Sequence, residues 1–242
     1  MWLDSFAFTS RGGRSYNQDA VGTTEHPNGS VFVVADGLGG HLHGEMASQC
    51  AVDTLLGAEI EPGEDSVSWL ETRIKCAHEE ILSLQKQHGS MKTTVTALLI
   101  QGQNASWAHV GDTRLYYLRN KRIASFTEDH SVAYKKYLAG EITRAQIGAD
   151  EDQPSLLRAL GNPTRYQPVC CTAENPIQPS DGFLICSDGV WGYLQDEEVL
   201  VDFLKADSAQ NWAELLLLRI MERIPEDNDN LSIITVMVNG EE

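Results

Sequence analysis

Two segments, GFLICS (182–187) and LSIITVMV (231–238), are apolar on both of their alternating faces. A strand with one side in water alternates apolar and polar residues. These do not, so both read as central strands covered on each side. A sheet buried on both faces needs packed layers above and below it. Helical periodicity supplies candidates at about Gly44 to Leu56, Ser66 to Gln87 and Ser208 to Arg223. In the last, Ser208 suits an N-cap, and Trp212, Leu215, Leu216 and Ile220 form one stripe. Further strands are expected at 3–9, 31–35, 93–100, 105–110 and 114–119, the last three as a meander of neighbours joined by Gly and Asn turns. The expected fold is α+β: two mainly antiparallel sheets face each other with helices outside, as one domain over 1–242. Residues 127–165 are polar, carry Lys135, Lys136 and Arg144, and read as a surface insertion of short helices. Its lysines are candidates for contacts that select substrates.

Charge and cysteine content narrow the functional classes. The 242-residue chain has 35 acidic and 18 basic residues, a net charge of −17. Such a field repels nucleic acid and anionic membranes, so neither is an expected partner. Apolar runs such as 215–218 are far too short to span a bilayer. The opening MWLDSFAFTS has no basic segment and carries Asp4, unlike a secretory signal. Five cysteines with no C-x-x-C argue against a zinc ribbon or disulfide framework and for a cytoplasmic protein. Leu42 stands where a dinucleotide fingerprint needs its third glycine, and Leu231 where a calcium loop needs its own. Neither a P-loop nor a G-x-S-x-G elbow occurs.

Four aspartates sit beside glycine or asparagine at the ends of apolar runs. Asp36 follows VFVVA, Asp112 follows SWAHV, Asp188 follows FLICS, and Asp229 precedes LSIITV. Each alone is an ordinary turn residue. Together they suggest carboxylates gathered at one rim of a sheet, where mutual repulsion raises their pKa values. Hard divalent cations relieve that repulsion, and oxygen ligands suit Mg²⁺ and Mn²⁺. Gly37 would let its carbonyl approach an ion closely. Upstream, RGGRSYNQDA holds Arg14, whose fork suits a phosphate, and Asp19, which could join the metal site.

In order, RSYNQD, VADGLGGHLHGEMAS, TTVTALL, HVGDTRLYYLR, TEDHS, ALG, ICSDGVWGYL and DNLSIITV resemble the type 2C metal-dependent protein phosphatases in their bacterial single-domain form. The resemblance runs from about residue 6 to 238. It implies a four-layer αββα sandwich with a dinuclear Mn²⁺ or Mg²⁺ centre. Asp36 matches the aspartate that bridges both ions, Gly37 the carbonyl ligand, and Asp188 and Asp229 the ligands of the second ion. Asp112, with Asp188, matches a third, weaker metal site. Arg14 matches the phosphate-binding arginine, Asp19 an acid near the metal-bound water, and 127–165 the flap. Gln18 replaces the metal-linked glutamate of animal members, and Leu38 their histidine; His41, then His43, are the nearest candidates for that histidine's role.

The implied reaction is hydrolysis of phosphoserine and phosphothreonine in proteins by water activated between the two ions, with no phosphoenzyme. Implied partners are phosphoproteins, an opposing serine/threonine kinase, and an association with type VI secretion clusters. The alternative is an inactive phosphatase-fold module that binds phosphoproteins or scaffolds a complex. Retention of Asp36, Asp188 and Asp229 favours the enzyme.

Overall fold

The computed structural model describes residues 1–38 and 43–240. Two five-stranded sheets stack face to face, every pairing antiparallel. The first runs in the order β1 (Trp2–Ser10), β10 (Leu231–Asn239), β9 (Gly182–Cys186), β6 (Arg114–Arg119), β7 (Arg122–Phe126). The second runs β2 (Asp19–His26), β3 (Gly29–Asp36), β4 (Val95–Gln101), β5 (Asn104–Val110), β8 (Val169–Thr172).

The doubly apolar strands are explained by three separate cores. On β3, Phe32 and Val34 point between the sheets, while Val31, Val33 and Ala35 point outward. The outward set packs under α1 (Gly44–Leu56) and α2 (Ser66–His88), through residues such as Leu55, Leu70 and Ile74. On β9, Phe183 and Ile185 face the other sheet. Leu184 and Cys186 share the opposite core with Phe203 of α5 (Asp196–Lys205) and Trp212 and Leu216 of α6 (Ala209–Met221). The period of two thus feeds two cores from one strand, and the layer order is helix, sheet, sheet, helix. Caps follow the sequence: Asp65 accepts from Ser68 N at 2.8 Å, and Ser208 Oγ from Asn211 N at 3.1 Å.

The expected meander is only half right. β4 and β5 pair, but β6 crosses to the other sheet and pairs with β7 and β9. Within 127–165 lie α3 (Val132–Leu138), a 3₁₀ turn (Arg144–Ala149) and no strand. No helix among the described residues is long and apolar enough to cross a membrane.

Candidate metal centre

Antiparallel pairing brings the ends of separate strands to one rim. Asp19 at the start of β2 pairs directly with Asp36 at the end of β3. Cys186, the last residue of β9, pairs with both Arg114 at the start of β6 and Ile233 near the start of β10. Asp188 therefore leaves β9, as the first residue of α4 (Asp188–Trp191), beside Asp229, which precedes β10. Asp112 joins β5 to β6. At this rim a cavity of about 640 Å³ is lined by Arg14, Gln18, Asp36, Gly37, Leu38, Asp112, Asp188 and Asp229, with Gln153, Leu156 and Arg158 from the 127–165 segment.

The floor is packed backbone to backbone. Gly37 N donates to Gln18 O at 3.1 Å. A Cβ on Gly37 would sit 2.4 Å from Gly44 O and 2.5 Å from Gln18 O, so only glycine fits. Asn230 holds the 11–18 loop: its Oδ1 accepts from Gln18 N at 2.8 Å, and its Nδ2 donates to Arg11 O at 2.9 Å and Tyr16 O at 3.2 Å. Gly12 has φ +56°, and a Cβ there would meet Asp229 O at 2.2 Å. The loop carrying Arg14 is thereby pressed onto the segment carrying Asp229.

Electrostatics set this cluster apart from an ordinary acidic surface. Burial, then the charges of Asp19, Asp188, Asp112 and Asp229, pushes the Asp36 carboxyl well above the usual range. Asp112 rises through burial and Asp188. Asp188 rises through burial and Asp229, although the bond from Gln153 opposes the shift. Burial raises Asp19 to about 7, although Ser232 and Ser187 oppose the shift; Ser187 Oγ donates to its Oδ2 at 2.9 Å.

Two neutralising contacts come from the chain itself. Arg14 forks onto Asp229, with Nε 3.2 Å from Oδ1 and Nη2 3.0 Å from Oδ2. Gln153 Nε2 donates at 3.0 Å to the Oδ2 atoms of both Asp112 and Asp188. Among the described residues, no three His, Cys, Asp or Glu side chains form a ready-made metal-ligand cluster. The donor chemistry nevertheless fits divalent cations: the acids are all hard oxygens and they repel one another.

The remaining expected residues divide. Asp19 does not line the cavity but lies buried behind Asp36. His43 caps α1 in a left-handed conformation and turns toward Glu45 at 3.8 Å and the His88 ring at 5.9 Å, off the cavity wall. His41 lies outside the described residues. Lys135 and Lys136 do not line the cavity; Lys136 is held by Asp150 at 2.9 Å and Asp152 at 2.7 Å. Gln153, Asn230 and Ser187 escaped the sequence reading, because a lone amide or hydroxyl carries no spacing signal. Only the positions of Ser187 and Asn230 next to Asp188 and Asp229 could have flagged them.

Comparison with known proteins agrees with this architecture. Residues 10–214 match the family model described as protein phosphatase 2C. The serine/threonine phosphatase stp of Listeria welshimeri is 31% identical over 231 residues, covering 91% of this chain and 90% of that protein. The catalytic domain of the phosphatase PstP, solved with two manganese ions, superposes with a TM-score of 0.82 at 26% identity, covering 98% of this chain and 99% of that one. PppA of Pseudomonas aeruginosa, described as a key regulatory component of T6SS, superposes with a TM-score of 0.75 at 25% identity, covering 98% of each chain. Two antiparallel sheets flanked by helices, matched over nearly the whole chain by serine/threonine phosphatases, place it in the class of protein phosphatases. The chain belongs to the protein phosphatase 2C family.

Proposed function

We propose that this chain is a metal-dependent protein phosphatase that hydrolyses phosphoserine and phosphothreonine in proteins. The observation that carries the reading is the convergence of Asp36, Asp112, Asp188, Asp229 and Arg14 from separate elements on one cavity. Asp36, the Gly37 carbonyl, Asp188 and Asp229 would hold two divalent ions, Mn²⁺ or Mg²⁺, and Asp112 with Asp188 a third, weaker one. When bound, the ions supply Lewis-acid charge to the phosphoryl oxygens and lower the pKa of a water that serves as nucleophile.

The protein's own groups do the rest. Arg14 is more than half exposed, with its guanidinium held by Asp229. With Asp229 engaged as a metal ligand, the Arg14 fork would be available to bind phosphoryl oxygens bidentately. Asp19 stands behind Asp36, opposite it in the ladder, and its charge is one of those that make the Asp36 carboxyl hard to ionise without a cation. His41 is the group we assign to protonating the leaving alkoxide. Residues 127–165 act as a flap on a single catalytic domain, with Gln153 as their link to the centre.

In the cell we place the protein in the cytoplasm, opposing a serine/threonine kinase. The likeness to PppA supports an association with type VI secretion. The test of the site is Mn²⁺ binding by equilibrium dialysis. Wild type should bind two ions tightly, and Asp188→Asn should lose at least one of them. Undiminished binding in that variant would remove Asp188 from the centre. Phosphoproteomics after gene deletion addresses the substrates, and an unchanged phosphoserine and phosphothreonine inventory would contradict the cellular role.

A further inference from the structure

The acids occupy one part of the cavity; another part of its wall carries Lys92 and Arg158, two cations that the catalytic reading does not use. Backbone pairing fixes where they stand. Thr93 bridges Gly37 on one side and Leu160 on the other. Leu38 N donates to Lys92 O at 3.1 Å, and Thr94 N to Asp36 O at 2.8 Å. Lys92 therefore faces Leu38, two residues along from the position facing Asp36, a separation on the order of 7 Å at the strand rise. Leu160 N donates to Thr93 O at 2.9 Å in an antiparallel bridge, so Arg158 lies toward the Asp36 end of this strand and Lys92 toward the Leu38 end, and both line the cavity.

Among the described residues no carboxylate pairs with Lys92 or Arg158, whereas Arg14, Lys136 and Arg144 are each held by aspartates. The acceptor of Arg158 is Gln167 O, 3.2 Å from Nη1. The same Nη1 lies 3.4 Å from His130 Nε2. His130 Nδ1 already accepts from Gly111 N at 3.1 Å, so the proton of the neutral ring sits on Nε2 and offers the guanidinium no lone pair. In a chain of net charge −17, Lys92 and Arg158 stand on the wall of the same cavity that Asp36, Asp112, Asp188 and Asp229 line.

We propose that Lys92 and Arg158 form a subsite for an anionic side chain one or two residues from the phosphorylated residue, so that the enzyme selects acidic phosphopeptide sequences. This rests on the phosphatase reading and adds a substrate class to it. An extended peptide advances about 3.3–3.6 Å per residue, so two residues match the roughly 7 Å of strand between Lys92 and the position facing Asp36. The centre recognises phosphate alone, and discrimination among phosphoproteins must come from contacts beyond it. Elsewhere the acidic surface repels acidic segments, so acceptance has to be local.

The experiment measures kcat/KM in Mn²⁺ for three phosphothreonine peptides that differ only in Glu, Ala or Lys at the flanking positions, with p-nitrophenyl phosphate alongside. Wild type should favour the Glu peptide over the Ala peptide about tenfold, chiefly through KM, and the preference should shrink as salt is raised. Lys92→Gln should bring the ratio toward one, Lys92→Glu should favour the Lys peptide, and Arg158→Ala should weaken the preference. Equal kcat/KM for the Glu and Ala peptides in wild type, or an intact Glu preference in Lys92→Glu, overturns the subsite. Failure to hydrolyse any of the four compounds would instead overturn the phosphatase reading. Hydrolysis of all four without preference overturns the subsite alone.

Discussion

At the scale of single residues, the rim acids trade stability for function. Asp36 is held among four other aspartates that raise its pKa. Asp36→Asn removes a charge from the proposed ligand set and also removes that repulsion. Activity should fall at least about a hundredfold, as on losing one element of a charge-stabilising site. The metal-free protein should become more stable, since a buried carboxylate no longer has to be held among four others. Assaying turnover and denaturant unfolding on one preparation checks both; lost activity with lost stability would mean that Asp36 serves the fold. Arg14 gives the opposite pattern. Its pair with Asp229 is about half exposed, so the bond contributes about 0–1 kcal/mol. Arg14→Ala should leave the melting temperature nearly unchanged, raise KM for phosphopeptides and lower kcat. Unchanged kinetics would make it only a loop residue.

At the scale of elements, the 127–165 segment hangs from a buried pair. Arg114 at the start of β6 donates to Asp129 from Nε at 2.8 Å and Nη2 at 2.7 Å, and its guanidinium lies 3.5 Å from the Trp191 ring centre. Trp191 Nε1 in turn donates to Asp112 O at 2.9 Å. Breaking a buried pair strands its partner and costs about 3–5 kcal/mol. Arg114→Ala should therefore lower the melting temperature by roughly 6–20 °C. A loss below about 2 °C by calorimetry would show that Asp129 finds other support.

Elements also show what was legible in the sequence. The buried strands β3, β4, β5, β6, β9 and β10 were readable because apolar runs reflect cores on both faces. The strands missed, β2, β7 and β8, are sheet edges with exposed polar residues such as Glu25, Arg122 and Thr172. Helix α5 was missed because its buried stripe runs Val199, Asp202, Phe203, with a charge in the middle. That charge is explained by Arg219 on α6 and, at 3.8 Å, by Lys205, which both pair with Asp202. The aspartates were readable as strand-end residues, and their convergence became visible only through the register. Gln153 had no local signal, since its partners lie 35 and 41 residues away in sequence.

At the scale of the whole molecule, acid clustering links proton, metal and fold. Asp19 has a carboxyl raised to about 7, and Asp36, Asp112 and Asp188 are also raised. An acid with a raised folded-state pKa binds more protons folded than unfolded across the window between the two values. Its contribution is full below about 4 and is lost as pH rises toward about 7. The metal-free protein should melt at a lower temperature at pH 8 than at pH 5. Mn²⁺ at a hundred times its dissociation constant adds about 2.7 kcal/mol, or roughly 5–10 °C in a chain of this size. The gain should be larger at pH 8, because protons compete for the same oxygens at pH 5. Equal gains at both pH values would separate the metal from these acids.

The central claim is that these rim aspartates hold the ions that hydrolyse phosphoserine and phosphothreonine. It is tested most directly by inorganic phosphate release from a phosphothreonine peptide, using chelator-stripped protein titrated with Mn²⁺. The account predicts no release without metal, recovery as Mn²⁺ is added, and no recovery in Asp36→Asn. Full turnover in excess chelator, or full recovery in Asp36→Asn, would contradict it.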